Sequence, residues 1–284
     1  MEAKKIALNQ HKQVLYSLLL FFASLLFLYY PVLTKWFRAW IDDANYSHGP
    51  LILLFSLYLV WSQKDELSKV EIRGSWFGLA LVLAGLMLFL LGWVAGELFT
   101  QRLSFLIVLY GGLIFLLGWP LARKLLFPVW ILVLTIPIPY VIYNSLTFPL
   151  KLFATKMATS LLQLVGISVY RDGNIIVLPN TTLQVVDACS GIRSLISLLA
   201  ICSILAYFVN GFWRKVIIVI SAVPIAIGVN ILRIFITGIL SYKLGKSAAE
   251  GFFHTFSGIL VFAVSLALIF LVHRLVKTQK ATDK

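Results

Sequence analysis

The segment Asp187-Ala-Cys189-Ser190-Gly191-Ile-Arg193 sets a thiol directly ahead of a long apolar run. That is the place where a helix is expected to start. Helix N-termini carry unpaired backbone N–H groups and the positive end of the helix dipole, so a thiol beside one ionises more readily. The thiolate is the nucleophilic form of cysteine. Gly191 adds no side-chain bulk next to the sulfur, so backbone there and at Ser190 is able to approach a substrate carbonyl closely. The competing role for Cys189 is that of a buried structural cysteine.

Two further residues complete a chemical set. Arg233 lies in Gly228-Val-Asn230-Ile-Leu-Arg233-Ile-Phe-Ile, inside another apolar run. At the helical rise it sits about 24 Å from the start of that run near Ile217. An arginine inside a bilayer costs a few kcal/mol unless it faces protein and finds partners, so it marks either a site or a side chain reaching for the interface. Asn230, three residues earlier, shares its helix face and is placed to help hold it. His254 lies in Glu250-Gly-Phe-Phe-His254-Thr-Phe-Ser257-Gly258, just before the last apolar run. A neutral imidazole suits general acid–base work near neutral pH, although a histidine there also serves as a surface cap. Together the three form a coherent chemical set of nucleophile, cation and proton shuttle.

The elements that must position them are membrane helices. Of 284 residues, 61% are hydrophobic and 12% charged, with mean hydropathy +0.96, against about 45–50% and about 25% in soluble domains. A soluble domain is excluded. Eight spans are expected, over Val14–Leu33, Gly49–Trp61, Trp76–Ala95, Leu103–Trp119, Leu125–Ile138, Gly191–Phe208, Val216–Leu240 and Phe256–His273; the second and fifth are short for the purpose. The fold class is thus an all-α polytopic bundle, one integral membrane domain over 1–284, with no cleavable signal peptide. The net charge of +13 forms no stripe that would suit nucleic acid. It gathers between apolar runs, as cytoplasmic loops do. With the N-terminus inside, Lys4, Lys5, Lys12, Lys64, Lys69, Arg73, Arg123, Lys124, Arg214, Lys215, Arg274, Lys277, Lys280 and Lys284 all face the cytoplasm, fourteen of the 24 basic residues. Both termini are then cytoplasmic, and Cys189, Arg233 and His254 share the outer side.

The outer segment 139–190 between spans five and six divides in two. From Ser145 to Val165, Leu146, Leu150, Phe153, Met157, Leu161 and Leu164 recur at steps of three or four, which predicts an amphipathic helix along the interface. From Val169 to Val186, the β-prone runs Ile175–Asn180 and Leu183–Val186 predict a small hairpin. The two cysteines, Cys189 and Cys202, show neither CxxC nor Cys/His spacing, so no metal and no cofactor is expected. Cys202 reads as a small core residue.

With these motifs in view, the chain resembles the exosortase/archaeosortase family. The matching residues are Ala188-Cys-Ser-Gly-Ile-Arg193-Ser, Asn230-Ile-Leu-Arg233, Phe253-His-Thr-Phe-Ser-Gly258 and Tyr46-Ser-His48-Gly-Pro50, in order over roughly residues 14–273. The resemblance implies a membrane cysteine transpeptidase, sortase-like in chemistry and unrelated in fold. Its implied partners are secreted proteins whose C-termini carry a short motif such as Pro-Glu-Pro, an apolar span and a basic cluster, together with membrane lipid. It implies sorting for surface or exopolysaccharide-linked export, a cell-membrane location, and catalytic roles for Cys189, Arg233 and His254. Substrate contacts are expected from Arg193, Ser190, Gly191, Asn230, Tyr46 and His48; for Tyr46 and His48 the competing role is helix entry and interface anchoring. The chain ends eleven residues after His273, so the C-terminal extracytoplasmic domain fused to some exosortases is expected to be absent. Two other classes stay open. One is a transporter or flippase subunit that uses Arg233 to bind its cargo, and the other a membrane thiol protease that only hydrolyses.

Overall fold

The structure, a computed structural model, describes the backbone of residues 2–185, 191–245 and 252–278, and the side chains of 12–185, 191–245 and 257–276. The chain divides into two compact units, Met1–Pro139 and Tyr140–Lys284.

The first unit holds α1 (Glu2–Asp42), α2 (Gly49–Ser62), α3 (Lys64–Leu67), α4 (Trp76–Val94), α5 (Leu98–Leu117), α6 (Trp119–Ile131) and a 3₁₀ turn, Leu132–Thr135. Its tightest pairing is α4 on α5. Every seventh residue of α4 from Gly78 is a buried glycine: Gly78, Gly85 and Gly92. A Cβ on Gly78 would lie 2.6 Å from Phe115 Cα, one on Gly85 2.7 Å from Val108 Cγ2, and one on Gly92 3.0 Å from Gln101 Cγ. Lipid tails are as apolar as leucine, so membrane helices gain little from burying large apolar faces against one another. They associate through close van der Waals approach along small-residue stripes instead.

Helix α5 is the hub, with Gln101, Arg102 and Ser104 buried in it. Each side chain finds a backbone or hydroxyl partner, since an unmet polar group in hydrocarbon costs several kcal/mol, although the buried Arg102 Nε has none among the described residues. Gln101 Nε2 donates to Gly92 O at 3.0 Å, Arg102 Nη2 to Lys35 O at 3.3 Å, and Ser104 Oγ lies 3.0 Å from Tyr29 Oη. The helix starts on a carboxylate cap: Glu97 accepts from Phe99 N at 2.9 Å and from Thr100 N at 2.6 Å. Burial raises the Glu97 pKa, but the Thr100 and Phe99 hydrogen bonds and the Arg102 charge outweigh it and hold the carboxyl below its ordinary value of 4.5. The sign follows. The cap stabilises the fold above that value and loses its effect as pH falls through the lower, folded one. Glu97→Ala is expected to cost about 1 kcal/mol at pH 7, and the difference from wild type in detergent melting should shrink below pH 4.5.

The second unit holds α7 (Tyr140–Leu164), strands β1 (Tyr170–Asp172), β2 (Ile175–Val177) and β3 (Thr182–Gln184), then α8 (Ile192–Tyr207), α9 (Phe212–Leu244) and α10 (Phe252–Thr278). Helices α8, α9 and α10 share one core of Leu198, Cys202, Ala206, Ile218, Ala222, Ala226 and Ile269. Cys202 is fully buried there, as a small core residue should be. Ala154, Ala158 and Leu162 of α7 pack with Ile176, Leu178 and Val185 of the sheet region and Ile234 of α9. The apolar stripe of α7 faces outward instead, with Leu146, Phe153 and Leu164 all exposed.

The expected all-α polytopic bundle is what the chain forms, each expected span overlapping a helix, although the fifth, Leu125–Ile138, also takes in the 3₁₀ turn and non-helical residues 136–138. Among the described residues, five helices are long and apolar enough to cross a membrane, or six if the helices flanking Ile136–Pro139 count as one broken span. Helices α2, α6 and α8, at 14, 13 and 16 residues, fall short of the roughly 20 that a bilayer takes. Two local expectations need correcting. Helix α7 begins at Tyr140, five residues before Ser145. The expected hairpin is a three-stranded antiparallel sheet in the order β1-β2-β3. Its extra strand arises because Gly173, at φ +58°, turns Tyr170–Asp172 back onto Ile175–Val177. A second turn, closed by Leu178 N donating to Thr181 O at 2.8 Å, adds β3.

Candidate active site

The site region is built in the second unit from the start of α8, the body of α9 and the first turns of α10. Cys189, Ser190 and Asp187 lie outside the described residues, as does the side chain of His254, whose backbone is in α10. What the structure fixes is the frame around them.

Both flanks of the 186–190 segment are tied down. Ahead of it, Val185 extends the sheet. Its N–H donates to Asn174 O at 2.9 Å, and the Asn174 side-chain amide donates back to Val185 O at 2.9 Å. Behind it, Gly191 is the N-cap of α8, at φ +83°, and its carbonyl accepts from Leu195 N at 2.9 Å. A Cβ on Gly191 would lie 3.3 Å from Cβ, Cγ and Nδ2 of Asn230. Gly191 is thus required twice over, by a left-handed backbone and by close approach to α9. Gly191→Ala is expected to cost about 1–2 kcal/mol, read as a lower melting temperature in detergent.

Asn230 is buried at 3% exposure. One turn further along α9, Arg233 is half-buried and donates from Nε to Ser257 Oγ at 3.2 Å. A Cβ on Gly258 would sit 3.8 Å from Arg233 Nη2. The contacts therefore run Gly191–Asn230 and Arg233–Ser257–Gly258, linking the three segments that carry Cys189, Arg233 and His254. The expectation that Asn230 and Arg233 share a helix face holds.

Arg193 is exposed on the first turn of α8. That helix begins at Ile192, so it does not extend back to Cys189, and helical spacing does not put the two on a common face. Tyr46 and His48 belong to the first unit. Tyr46 is 3% exposed and packs with Trp36, Trp40, Leu106 and Ile136; its hydroxyl accepts from Ile138 N at 2.9 Å. His48 Nε2 donates to Leu134 O at 3.3 Å; burial lowers the imidazole pKa and that hydrogen bond opposes the shift. Trp36 and Trp40 both donate to Thr135 O, at 2.9 and 3.0 Å. These four side chains grip the backbone of residues 134–138.

Sequence reasoning gave no individual role to Ser257, Gly258 or Asn174, although the first two lie in a quoted motif. The first two had a usable signal, since they stand three and four residues after His254 on the same helix face. It also passed over Arg102, a buried arginine, 5% exposed.

Fold and site region define a polytopic helical membrane protein with a polar constellation where two helix starts meet the body of a third. A family model described as transmembrane exosortase matches residues 40–271; the chain belongs to that family, a family of membrane protein-sorting transpeptidases. No curated protein and no solved structure matches it.

Proposed function

We propose that this protein is a cysteine transpeptidase that cuts the C-terminal sorting signals of secreted proteins at the outer face of the cell membrane and passes them to an acceptor. The observation that carries this is the linkage of Gly191, Asn230, Arg233 and Ser257, drawn from the three segments that hold Cys189, Arg233 and His254. An arginine that a membrane helix turns toward protein partners rather than lipid supports a site there.

The steps balance as acyl transfer. The Cys189 thiolate attacks the scissile carbonyl carbon, and the C=O electron pair moves onto oxygen. Arg233, with backbone N–H groups near Ser190 and Gly191, stabilises that oxyanion. The C–N bond breaks as His254 gives its proton to the departing amine, leaving a thioester. His254 then takes the proton of the acceptor nucleophile, which attacks the thioester and releases the thiolate. Loop charges support cytoplasmic termini and an outer position for this chemistry. The partners are secreted proteins ending in a short motif, an apolar span and basic residues.

The test is mass spectrometry of a tagged substrate co-expressed with the protein. An acceptor adduct on the new C-terminus, preceded by a hydroxylamine-sensitive enzyme conjugate, is the expected result. A free carboxylate would show hydrolysis and overturn the transfer step. A full-length substrate with no conjugate would overturn the whole assignment.

A further inference from the structure

The Arg233 guanidinium has a built seat on α10. Its Nε–H is taken by Ser257 Oγ at 3.2 Å. The guanidinium is a rigid plane with five N–H donors in a fixed fork, so engaging Nε also sets the direction of both terminal nitrogens. The next residue, Gly258, lies beside one of them. Among the described residues, the nearest heavy atom to a Cβ built there is Arg233 Nη2, at 3.8 Å, and the backbone is in ordinary helical conformation. Among the described residues, neither packing nor a left-handed φ therefore calls for glycine at 258, and a glycine inside a helix is otherwise unfavourable compared with alanine. Gly228 on α9 is the useful contrast, since a Cβ there meets nothing within 4 Å among the described residues.

We propose that Ser257 and Gly258 are positioning residues: the serine hydroxyl aims the Arg233 guanidinium, and the glycine keeps the approach to Nη2 open for the oxygen of the peptide carbonyl under attack. This rests on the transpeptidase assignment and goes beyond it in saying what orients the cation. Misaiming a preorganised donor costs rate rather than binding, because the oxyanion exists only in the transition state. A methyl at 258 would rest against Nη2 at van der Waals distance, shedding water from it and narrowing the approach.

The test measures kcat, KM and melting temperature of the full-length protein in detergent, using a tagged substrate whose processing the wild type performs. Ser257→Ala is expected to lower kcat about tenfold with KM nearly unchanged, the order seen when an orienting hydrogen bond is lost. Ser257→Thr keeps the hydroxyl and should restore most of that loss. Gly258→Ala should also lower kcat about tenfold while raising the melting temperature, a combination that a structural role would not produce. Gly228→Ala should raise the melting temperature and leave kcat at the wild-type value. Wild-type kcat in Ser257→Ala or Gly258→Ala overturns the seat, as does a Ser257→Thr no better than alanine. Cys189→Ala, run in parallel, keeps the two failures apart. If it is inactive while Ser257→Ala and Gly258→Ala are not, only the seat is wrong; if it processes normally, the transpeptidase assignment itself falls.

Discussion

Cys189→Ala leaves a co-expressed, tagged substrate at full length, a fall in processing of about 10⁴-fold or more; that is the largest expected effect on activity. Removing the nucleophile of a covalent mechanism removes the intermediate itself, and what survives is binding and oxyanion stabilisation acting on water. Cys189→Ser should lose nearly as much. A serine hydroxyl ionises far less readily than a thiol, and proximity to a helix start cannot close that gap. The pair of variants also separates enzyme from carrier, because a transporter that uses Arg233 for binding would tolerate serine with a modest loss. Both changes are small, so the amount of protein in the membrane should stay at the wild-type level, and immunoblotting of enzyme and substrate together reads the result. Processing that continues in either variant removes Cys189 from the nucleophile's role.

Gly78→Val should be the most damaging substitution for stability. Even its Cβ would fall 2.6 Å from Phe115 Cα, and the obstacle is backbone, which has no rotamer with which to give way. The α4–α5 pair must separate or slide, and Gly85 and Gly92 on the same stripe would lose their close contacts with Val108 and Gln101 together. A cost of about 3 kcal/mol or more is expected, the upper range for overpacking. Thermal unfolding in detergent, with Gly228→Ala as the innocuous glycine control, measures it. An unchanged midpoint would mean that α4 and α5 do not meet at Gly78.

The helices were legible because an uninterrupted apolar run carries its own signal, and lipid leaves few alternatives to a helix. Their ends were less so. Pro139 stands just before Tyr140, and a helix start there competes with one at Ser145 without any change in hydropathy. The buried face of α7 was hidden for a related reason. Thr147, Ala154, Thr155, Ala158 and Thr159 are buried, and small and hydroxyl side chains score as polar or neutral although they are the ones that let membrane helices approach. Strands of three residues depend on their turns, and a turn such as Leu178–Thr181 shows in the sequence only as Pro179-Asn180.

For the site, residue types were readable and partners were not. Arg233 announced itself as a cation in an apolar run, yet Ser257, the hydroxyl that receives its Nε–H, lies 24 residues downstream. Tyr46 and His48 pointed to an outer-loop motif. The backbone groups they bind are 92 and 86 residues away, a separation that no local spacing encodes.

The brevity of α8 bears on how a substrate is met. Sixteen residues give about 24 Å of helix, while the hydrocarbon layer is about 30 Å thick. Helix α9 beside it has 33 residues, more than enough to cross. A hydrocarbon layer of that thickness, which α9 crosses with length to spare, exceeds α8 by about 6 Å, so lipid would thin or water enter at an end of α8. Gly191 stands at one of its two ends. A polypeptide that keeps its own apolar segment dissolved in the bilayer would find the water-accessible layer dipping toward it there. The bond just ahead of that segment would then become reachable without pulling the anchor out of the membrane.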